Sequence, residues 1–481
     1  MGSKSSKYLH RHPEMKIITV IGLVIFLACG TSCGKGSGQI PVPVKAVKFN
    51  SNDKVLILAP HPDDEVLGCG GIIQQALRQN IPVQVVFLTY GDFNDWSFMI
   101  YRRNFVIAPS DVEKMGLVRH DEAVAADTFL GIKHDSIVFL GYPDFGTLNI
   151  MESHWLPSAP YKSILTQAEA VPYQNAQRPG APYTGDDLLT DLKKVILDFK
   201  PTKIFVSHPA DQHPDHQALY LFTKIALWDL NLDPEPEVTC YLVHFSHWPV
   251  PRGLHESDSI IPPTALSGEP DWTENPLTPS EVSLKHNALE LHKTQMDSNP
   301  EYLLSFIRSN ELFGDMPPVS LPMNPNERNL LDLSSGPPPS APEQLTGSER
   351  NLFLGFEKSS VKLSGDGLVL DIGFSRPLAA GVNVSIYFFG YKQGVPFSSM
   401  PKIHVKLDAL VHNVFSQELS LPNSAVSVAR TARDIRLTVP LQLIGDPDRL
   451  LFGSRIYSGE VPMNWLAWQE VDFRTQAAAQ R

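Results

Sequence analysis

Two short segments gather side chains that could hold an ion or move a proton: Ala59-Pro60-His61-Pro62-Asp63-Asp64-Glu65, and His208-Pro209-Ala210-Asp211-Gln212-His213-Pro214-Asp215-His216. One histidine and three carboxylates so close together would repel one another in a dry cavity. A divalent cation resolves the conflict, because it rewards ionised carboxylates and neutral imidazole. An acidic helix start accounts for the first segment without any metal, since Asp63, Asp64 and Glu65 would favour the positive end of a helix dipole by about 0.3–1 kcal/mol each. The second segment shifts the balance: both follow an apolar run and precede a helical pattern, so a sheet can bring them to one edge. A catalytic zinc site takes three nitrogen, oxygen or sulfur ligands and keeps a position for water. His61, Asp64 and His216 make such a set, and the same donors suit iron(II).

The elements needed to position these residues are legible. Residues 55–60 form a continuous apolar run, followed by a helical pattern over 66–79 and a second run over 83–90. The alternation recurs, with helical patterns over 117–130, 186–199 and 215–230 leading into apolar runs over 136–140, 203–207 and 238–245. Strands alternating with helices predict an α/β fold, a Rossmann-like, mostly parallel sheet with helices on both faces, and ligands in such sheets bind at the carboxyl ends of the strands. Residues 143–185 interrupt the alternation as an insertion, in which Trp155, Tyr161, Tyr173 and Tyr183 could form an aromatic wall for a sugar. A helical stretch over 282–296 and the segment 302–313 close the domain, taken as 50–314. A Pro-rich linker over 315–344 follows, and beyond it short, partly alternating runs over 345–476 predict a β-sandwich-like domain.

The His-Pro-Asp-Asp-Glu element at 61–65 and the His-Pro-Asp-His element at 213–216, with Arg119-x-x-Glu122, Ala126, Leu130-Gly131 and Gly141-Tyr-Pro-Asp144 between them, resemble the PIG-L or LmbE-like N-acetylglucosaminyl deacetylases over roughly residues 50–310. The resemblance implies that His61, Asp64 and His216 are metal ligands, with Asp63 as general base. It implies that His213 stabilises the developing oxyanion, that Asp215 is an outer carboxylate, and that Arg119 and Asp144 bind sugar hydroxyls. The implied activity is removal of an acetyl group from an N-acetylglucosamine-type sugar or glycoconjugate, with Zn2+ or Fe2+ as cofactor. Arg119 could instead pair with Glu122 on one helix face, and Asp144 could simply shape a turn.

The net charge of −12 over 481 residues, with no basic stripe, excludes a nucleic-acid partner and leaves a small-molecule or glycan substrate. The first 40 residues read as an export segment: Lys4, Lys7, Arg11 and Lys16 precede the apolar run 17–28, which is short for a membrane span. Cys29 and Cys33 follow small residues and resemble a lipid-attachment box, so the expected location is the bacterial cell envelope, periplasmic or anchored through an N-terminal lipid. Cys69 and Cys240 are too few for a disulfide scaffold. Gly68-x-Gly70-Gly71 predicts close helix packing rather than a dinucleotide loop. Lys285 and Gln295 read as structural or peripheral, and His244 and His247 as core or rim histidines. Trp465 and Trp468 could present a sugar platform or sit in a core. Two other activities fit the same residues: an amidohydrolase for another N-acyl compound, and a non-catalytic surface protein that binds carbohydrate through its β-rich domain. Oligomeric state is not legible.

Overall fold

In the computed structural model the described residues are 46–93, 108–266, 271–321, 330–332, 340–343 and 345–474. The export segment over 1–40, with Cys29 and Cys33, lies outside them. The chain begins with β1 (Val55–Ala59), α1 (Asp64–Arg78), β2 (Val83–Phe87), α2 (Pro109–Leu130), β3 (Ile137–Phe139) and α3 (Thr147–Ser153). It continues through α4 (Gly185–Phe199), β4 (Lys203–Ser207), α5 (Pro214–Leu230) and β5 (Glu237–Tyr241). The sheet order is β3-β2-β1-β4-β5, all parallel. Every residue of β1 is buried, as expected of a central parallel strand covered on both faces. One layer packs α1 with α2, and the other packs α5 with α3 and α4.

Three expectations are adjusted. The apolar run 238–245 leaves the sheet after Tyr241, because the Val243 and His244 amides turn to donate to Asp211 Oδ2 at 3.1 and 2.9 Å. The sheet is extended by β6 (Asp271–Pro276) and β7 (Asn310–Asp315), with β7 antiparallel to both β5 and β6. The helical run 282–296 is split into α6 (Pro279–Leu289) and α7 (Lys293–Ser298), followed by α8 (Pro300–Leu304). The break falls where His292 turns inward to within 3.3 Å of Glu65 and the Thr294 amide donates to Glu122 at 3.0 Å.

Within the Pro-rich segment, β8 (Val319–Ser320) and β9 (Leu330–Asp332) are strands. After α9 (Gly347–Leu352) come β10 (Phe356–Ser364), β11 (Gly367–Phe374), β12 (Val382–Tyr391), β13 (Lys402–Leu407), β14 (His412–Ser416), β15 (Leu419–Leu421), β16 (Ser427–Arg430), β17 (Asp434–Pro440), β18 (Arg449–Ser458) and β19 (Val461–Asp472). They form two sheets, β16-β17-β11-β10-β9 and β15-β14-β13-β12-β18-β19-β8, antiparallel except where β8 runs parallel to β19. Val361, Leu370 and Ile372 of the first meet Ile386, Phe388 and Val405 of the second in one apolar core. The other face of β12 carries Tyr387, Phe389 and Tyr391, which join the core of the α/β sheet together with Trp468.

Candidate metal centre

Strands β1 and β4 are neighbours, so the loops that leave their carboxyl ends meet. The first runs through His61-Pro62-Asp63 into α1. The second runs from His208 to His213, which caps α5 by accepting the Asp215 amide on Nδ1 at 3.2 Å, with Pro214 at the first helical position. The two loops bring three donor atoms together. His61 Nδ1 is 3.2 Å from Asp64 Oδ2, His216 Nε2 is 3.1 Å from the same oxygen, and the two nitrogens are 3.3 Å apart. Ligands bonded at about 2.0–2.1 Å to a tetrahedral ion stand about 3.3 Å from one another.

Hydrogen bonding among themselves does not account for this triangle. His61 Nε2 lies 3.2 Å from both Asp144 Oδ1 and Asp215 Oδ2, and His216 Nδ1 lies 3.1 Å from Asp211 Oδ2. Asp215 is hydrogen-bonded to the outer nitrogen of His61, and the Asp211 carboxylate beside His216 Nδ1 favours a proton there, which leaves a lone pair on each inner nitrogen. Two imidazole lone pairs and a carboxylate oxygen then converge in a buried space, an arrangement that a cation would satisfy. Asp64 Oδ1 is also buried without a hydrogen-bond partner among the described residues. The donor set therefore fits a divalent metal. His244 offers a fourth donor nearby, and Asp144, His213 and Asp215 offer further ones around the outer nitrogen of His61.

The electrostatics follow from the same contacts. Burial works against a charged His61, but Asp144, Asp215 and Asp64 outweigh it and hold the imidazole well above its usual pKa. Burial likewise opposes charge on His216, yet Asp211 and Asp64 push it up to about 9. Asp64 stays well below the usual carboxylate range, because His216 and His61 overcome its burial. Without an ion, protons bound to the histidines would neutralise the cluster; a metal displaces them. Burial pushes Asp63 up to about 7 although Arg119 pulls the other way. His213 is held well below its usual pKa by burial and by its histidine neighbours, so its ring is neutral. With Nδ1 accepting a backbone amide, that neutral ring carries its proton on Nε2 as a donor.

The residues assigned to the site from the sequence, His61, Asp63, Asp64, Arg119, Asp144, His213, Asp215 and His216, fall at or beside this centre, in varied postures. Asp215 is locked by the Phe145 amide at 2.7 Å, by the Thr147 amide at 3.2 Å and by the Thr147 hydroxyl, which suits an outer carboxylate facing His61. Asp144 accepts the Phe93 amide at 2.9 Å on the oxygen opposite His61. Arg119 is buried beneath the first loop, donating to Pro62 O at 2.6 Å and Gly91 O at 2.7 Å, with Asp63 Oδ1 3.6 Å away. It does not pair with Glu122, whose carboxylate is taken by Thr294.

The aromatic wall is not formed: Trp155 and Tyr183 are 0% and 1% exposed, Tyr161 and Tyr173 are also buried, and Tyr173 donates to Asp92 and stacks on Tyr90. Phe145 instead reaches the centre, its ring 4.3 Å from that of His213. His247 lies away from it, bonded to Glu343. Lys285 is buried against Glu311 at 2.9 Å. Sequence reasoning missed Asp211 and gave His244 no part in the cluster. Asp211 stood within the second segment, whereas no local pattern marked His244, which arrives where the chain leaves β5.

Fold and cluster together define an α/β protein with a His–Asp–His cluster able to hold a cation at the carboxyl edge of its parallel sheet. Residues 56–227 match the family described as PIG-L, GlcNAc-PI de-N-acetylase, and this stretch is a PIG-L domain. The chain is 23% identical to a putative glucosamine-6-phosphate deaminase-like protein of Bacteroides thetaiotaomicron, over 51% of this chain and 36% of that protein. It is also 23% identical to a probable N-acetyl-alpha-D-glucosaminyl L-malate deacetylase 2 of Bacillus subtilis, over 54% of this chain and 90% of that protein. It thus spans about a third of the first relative and most of the second. Among solved structures, N,N'-diacetylchitobiose deacetylase from Pyrococcus horikoshii is 20% identical and covers 55% of this chain and 84% of its own, with a TM-score of 0.33.

Proposed function

We propose that the chain is a metal-dependent amide hydrolase that removes an acetyl group from an N-acetylglucosamine-type sugar or glycoconjugate. The observation that carries this reading is the convergence of His61 Nδ1, Asp64 Oδ2 and His216 Nε2 at 3.1–3.3 Å, with the Asp63 carboxyl on the residue just before Asp64. PIG-L membership of residues 56–227 and the deacetylase among its relatives supply the bond to be cut. These three residues would hold the metal, Zn2+ with Fe2+ as the alternative. A bound ion would supply a Lewis acid for the acyl oxygen and acidify a water.

The chain's own groups supply the rest. Asp63, with a pKa near neutrality, accepts a proton as water adds to the carbonyl and returns it to the departing amine. His213 Nε2–H is positioned to donate to the oxyanion, and loss of such a donor costs about 2.7–4 kcal/mol of transition-state stabilisation. Asp215, hydrogen-bonded to His61 Nε2, fixes the tautomer of that ring, and Asp144 and Asp211 stand as counter-charges beside His61 Nε2 and His216 Nδ1. Arg119 supports the loop that carries Asp63, so a contact with sugar hydroxyls would require the guanidinium to leave the Pro62 and Gly91 carbonyls.

The reading extends to export of the chain to the cell envelope, with lipid on Cys29 or Cys33 as the membrane tether. Lys4, Lys7, Arg11 and Lys16 ahead of the apolar run 17–28 support it. No described helix is long and apolar enough to cross a membrane. The test of function is a screen of the purified protein against N-acetylated saccharides, with acetate release measured before and after chelation and after zinc is restored. Acetate release that survives complete metal removal would sink the proposal.

A further inference from the structure

We infer that the C-terminal sheet is a working part of the metal centre, in which Trp468 of β19 is a positioning residue for His216 through Gln217 and Asp211. The inference rests on the metal-hydrolase reading above. Trp468 Nε1 donates to Gln217 Oε1 at 3.1 Å; Gln217 Nε2 donates to the Asp211 carbonyl at 2.8 Å; and Asp211 Oδ2 lies 3.1 Å from His216 Nδ1. All four residues are at most 4% exposed, so water cannot replace a missing link. The Asp211 carboxylate is otherwise fully engaged, by the His213 amide at 2.9 Å and by those of Val243 and His244. Those amides orient the carboxylate, and the Gln217–Trp468 pair holds the carbonyl of the same residue. Carboxylates behind a ligating histidine fix its ring and raise its basicity.

The sheet is shaped for this contact. Opposite Gly453 the register of β18 and β19 slips, from Phe452–Gln469 to Ser454–Leu466, so two residues of β19 face one of β18. Such a bulge releases a backbone amide from the ladder and re-aims a side chain. Here the Trp468 amide turns to the Pro209 carbonyl at 3.0 Å, so the same residue bonds the 208–213 loop directly as well as through Gln217. A Cβ on Gly453 would lie 2.7 Å from the indole, so the bulge and the ring require glycine there. The same face of α5 continues the contact with Lys224 2.8 Å from Glu470 and Trp228 5.0 Å from Tyr391. Those two contacts are structural; the one at Trp468 reaches the ligand.

The test uses the full chain and zinc alone as the probe, with the zinc dissociation constant read by chelator competition and folding by thermal melting. Trp468→Phe keeps a ring and removes the donor, and is expected to weaken zinc binding about tenfold, the low end of what losing a direct partner of a ligating histidine costs. Gly453→Ala, which displaces the indole while leaving every α/β residue intact, should act in the same direction and serves if Trp468→Phe does not fold. Trp228→Phe loosens the same interface elsewhere, and should lower the melting temperature while leaving zinc affinity within about threefold. Wild-type affinity in both folded variants overturns the inference, as does an equal loss in Trp228→Phe, which would mean general loosening. A wild-type chain that binds no zinc overturns the functional reading itself, and this inference with it.

Discussion

Asp63 holds a backbone conformation that a non-glycine residue adopts only under constraint, φ 124° and ψ −28°. Such a conformation costs roughly 1–3 kcal/mol and persists where surrounding bonds enforce it. Here the Asp63 amide donates to Glu65 Oε2 at 3.0 Å and Arg119 grips the preceding carbonyl. The strain sits on the residue proposed as base, between one proposed ligand two positions before it and another one position after. Asp63→Asn is expected to keep the metal and lose about 10²–10⁴-fold in turnover, whereas His216→Ala should lose both; metal analysis beside acetate release distinguishes them. Wild-type turnover in Asp63→Asn would mean that the base is another group.

The pH dependence has a definite sign at the same scale. A base must be deprotonated to accept, so activity should fall about tenfold per unit as pH drops below the Asp63 pKa, near 7 in the ion-free chain and lower once a cation sits beside it. His216, held up to about 9, must release its proton to ligate, so zinc affinity should weaken from pH 9 downward. Chelator competition across pH 6–9 checks this, and a flat profile would contradict the ligand assignment.

At the scale of elements, placement of the site depends on how tightly α1 seats on the sheet. A Cβ on Gly68 would lie 2.4 Å from the Tyr241 ring, so the helix approaches β5 more closely than alanine permits. The α1 amides of Gly71 and Ile72 donate to the Glu311 carboxylate of β7 at 2.7 and 3.0 Å, and Lys285 of α6 pairs with the same group. Both members of that pair are 1% exposed, and removing one partner of a buried pair typically costs about 3–5 kcal/mol. Lys285→Met should therefore destabilise the chain by roughly that amount in urea unfolding, without altering any proposed ligand. A loss under about 1 kcal/mol would show that the pair contributes little. The Gly68-x-Gly70-Gly71 pattern indicates close packing; the partners, Tyr241 and Glu311, come from distant strands.

At the scale of the whole molecule, the two halves share a core. Helix α5 is buried along most of its length, as a helix covered on two sides must be. Lys402 of β13 reaches over the Trp155 ring at 4.7 Å, and Arg455 of β18 pairs with Glu152 of α3 at 2.9 Å. Helix α3 begins at Thr147, which holds Asp215, so the C-terminal sheet touches a second segment that shapes the centre. Deleting residues 345–481 should yield an insoluble or unfolded product rather than a smaller enzyme, and the full chain should melt in a single transition that coincides with metal release. Separate calorimetric transitions for the two halves would contradict this.

Local pattern was enough for the parallel order of strands and helices, for the strand-end placement of both His/Asp segments, and for the change of period after the Pro-rich stretch. Each of these depends on contacts between residues near in sequence or on a repeat of burial along one element. Local pattern could not show that Trp155, Tyr161, Tyr173 and Tyr183 point inward, that Arg119 lies under the Asp63 loop, or that Trp468 faces α5 rather than solvent. An aromatic residue has the same composition in a sugar platform and in a core, and the difference lies in what covers it. That cover was decided by the docking of one sheet on another, where segments more than two hundred residues apart in the chain exchange hydrogen bonds that neither can make alone.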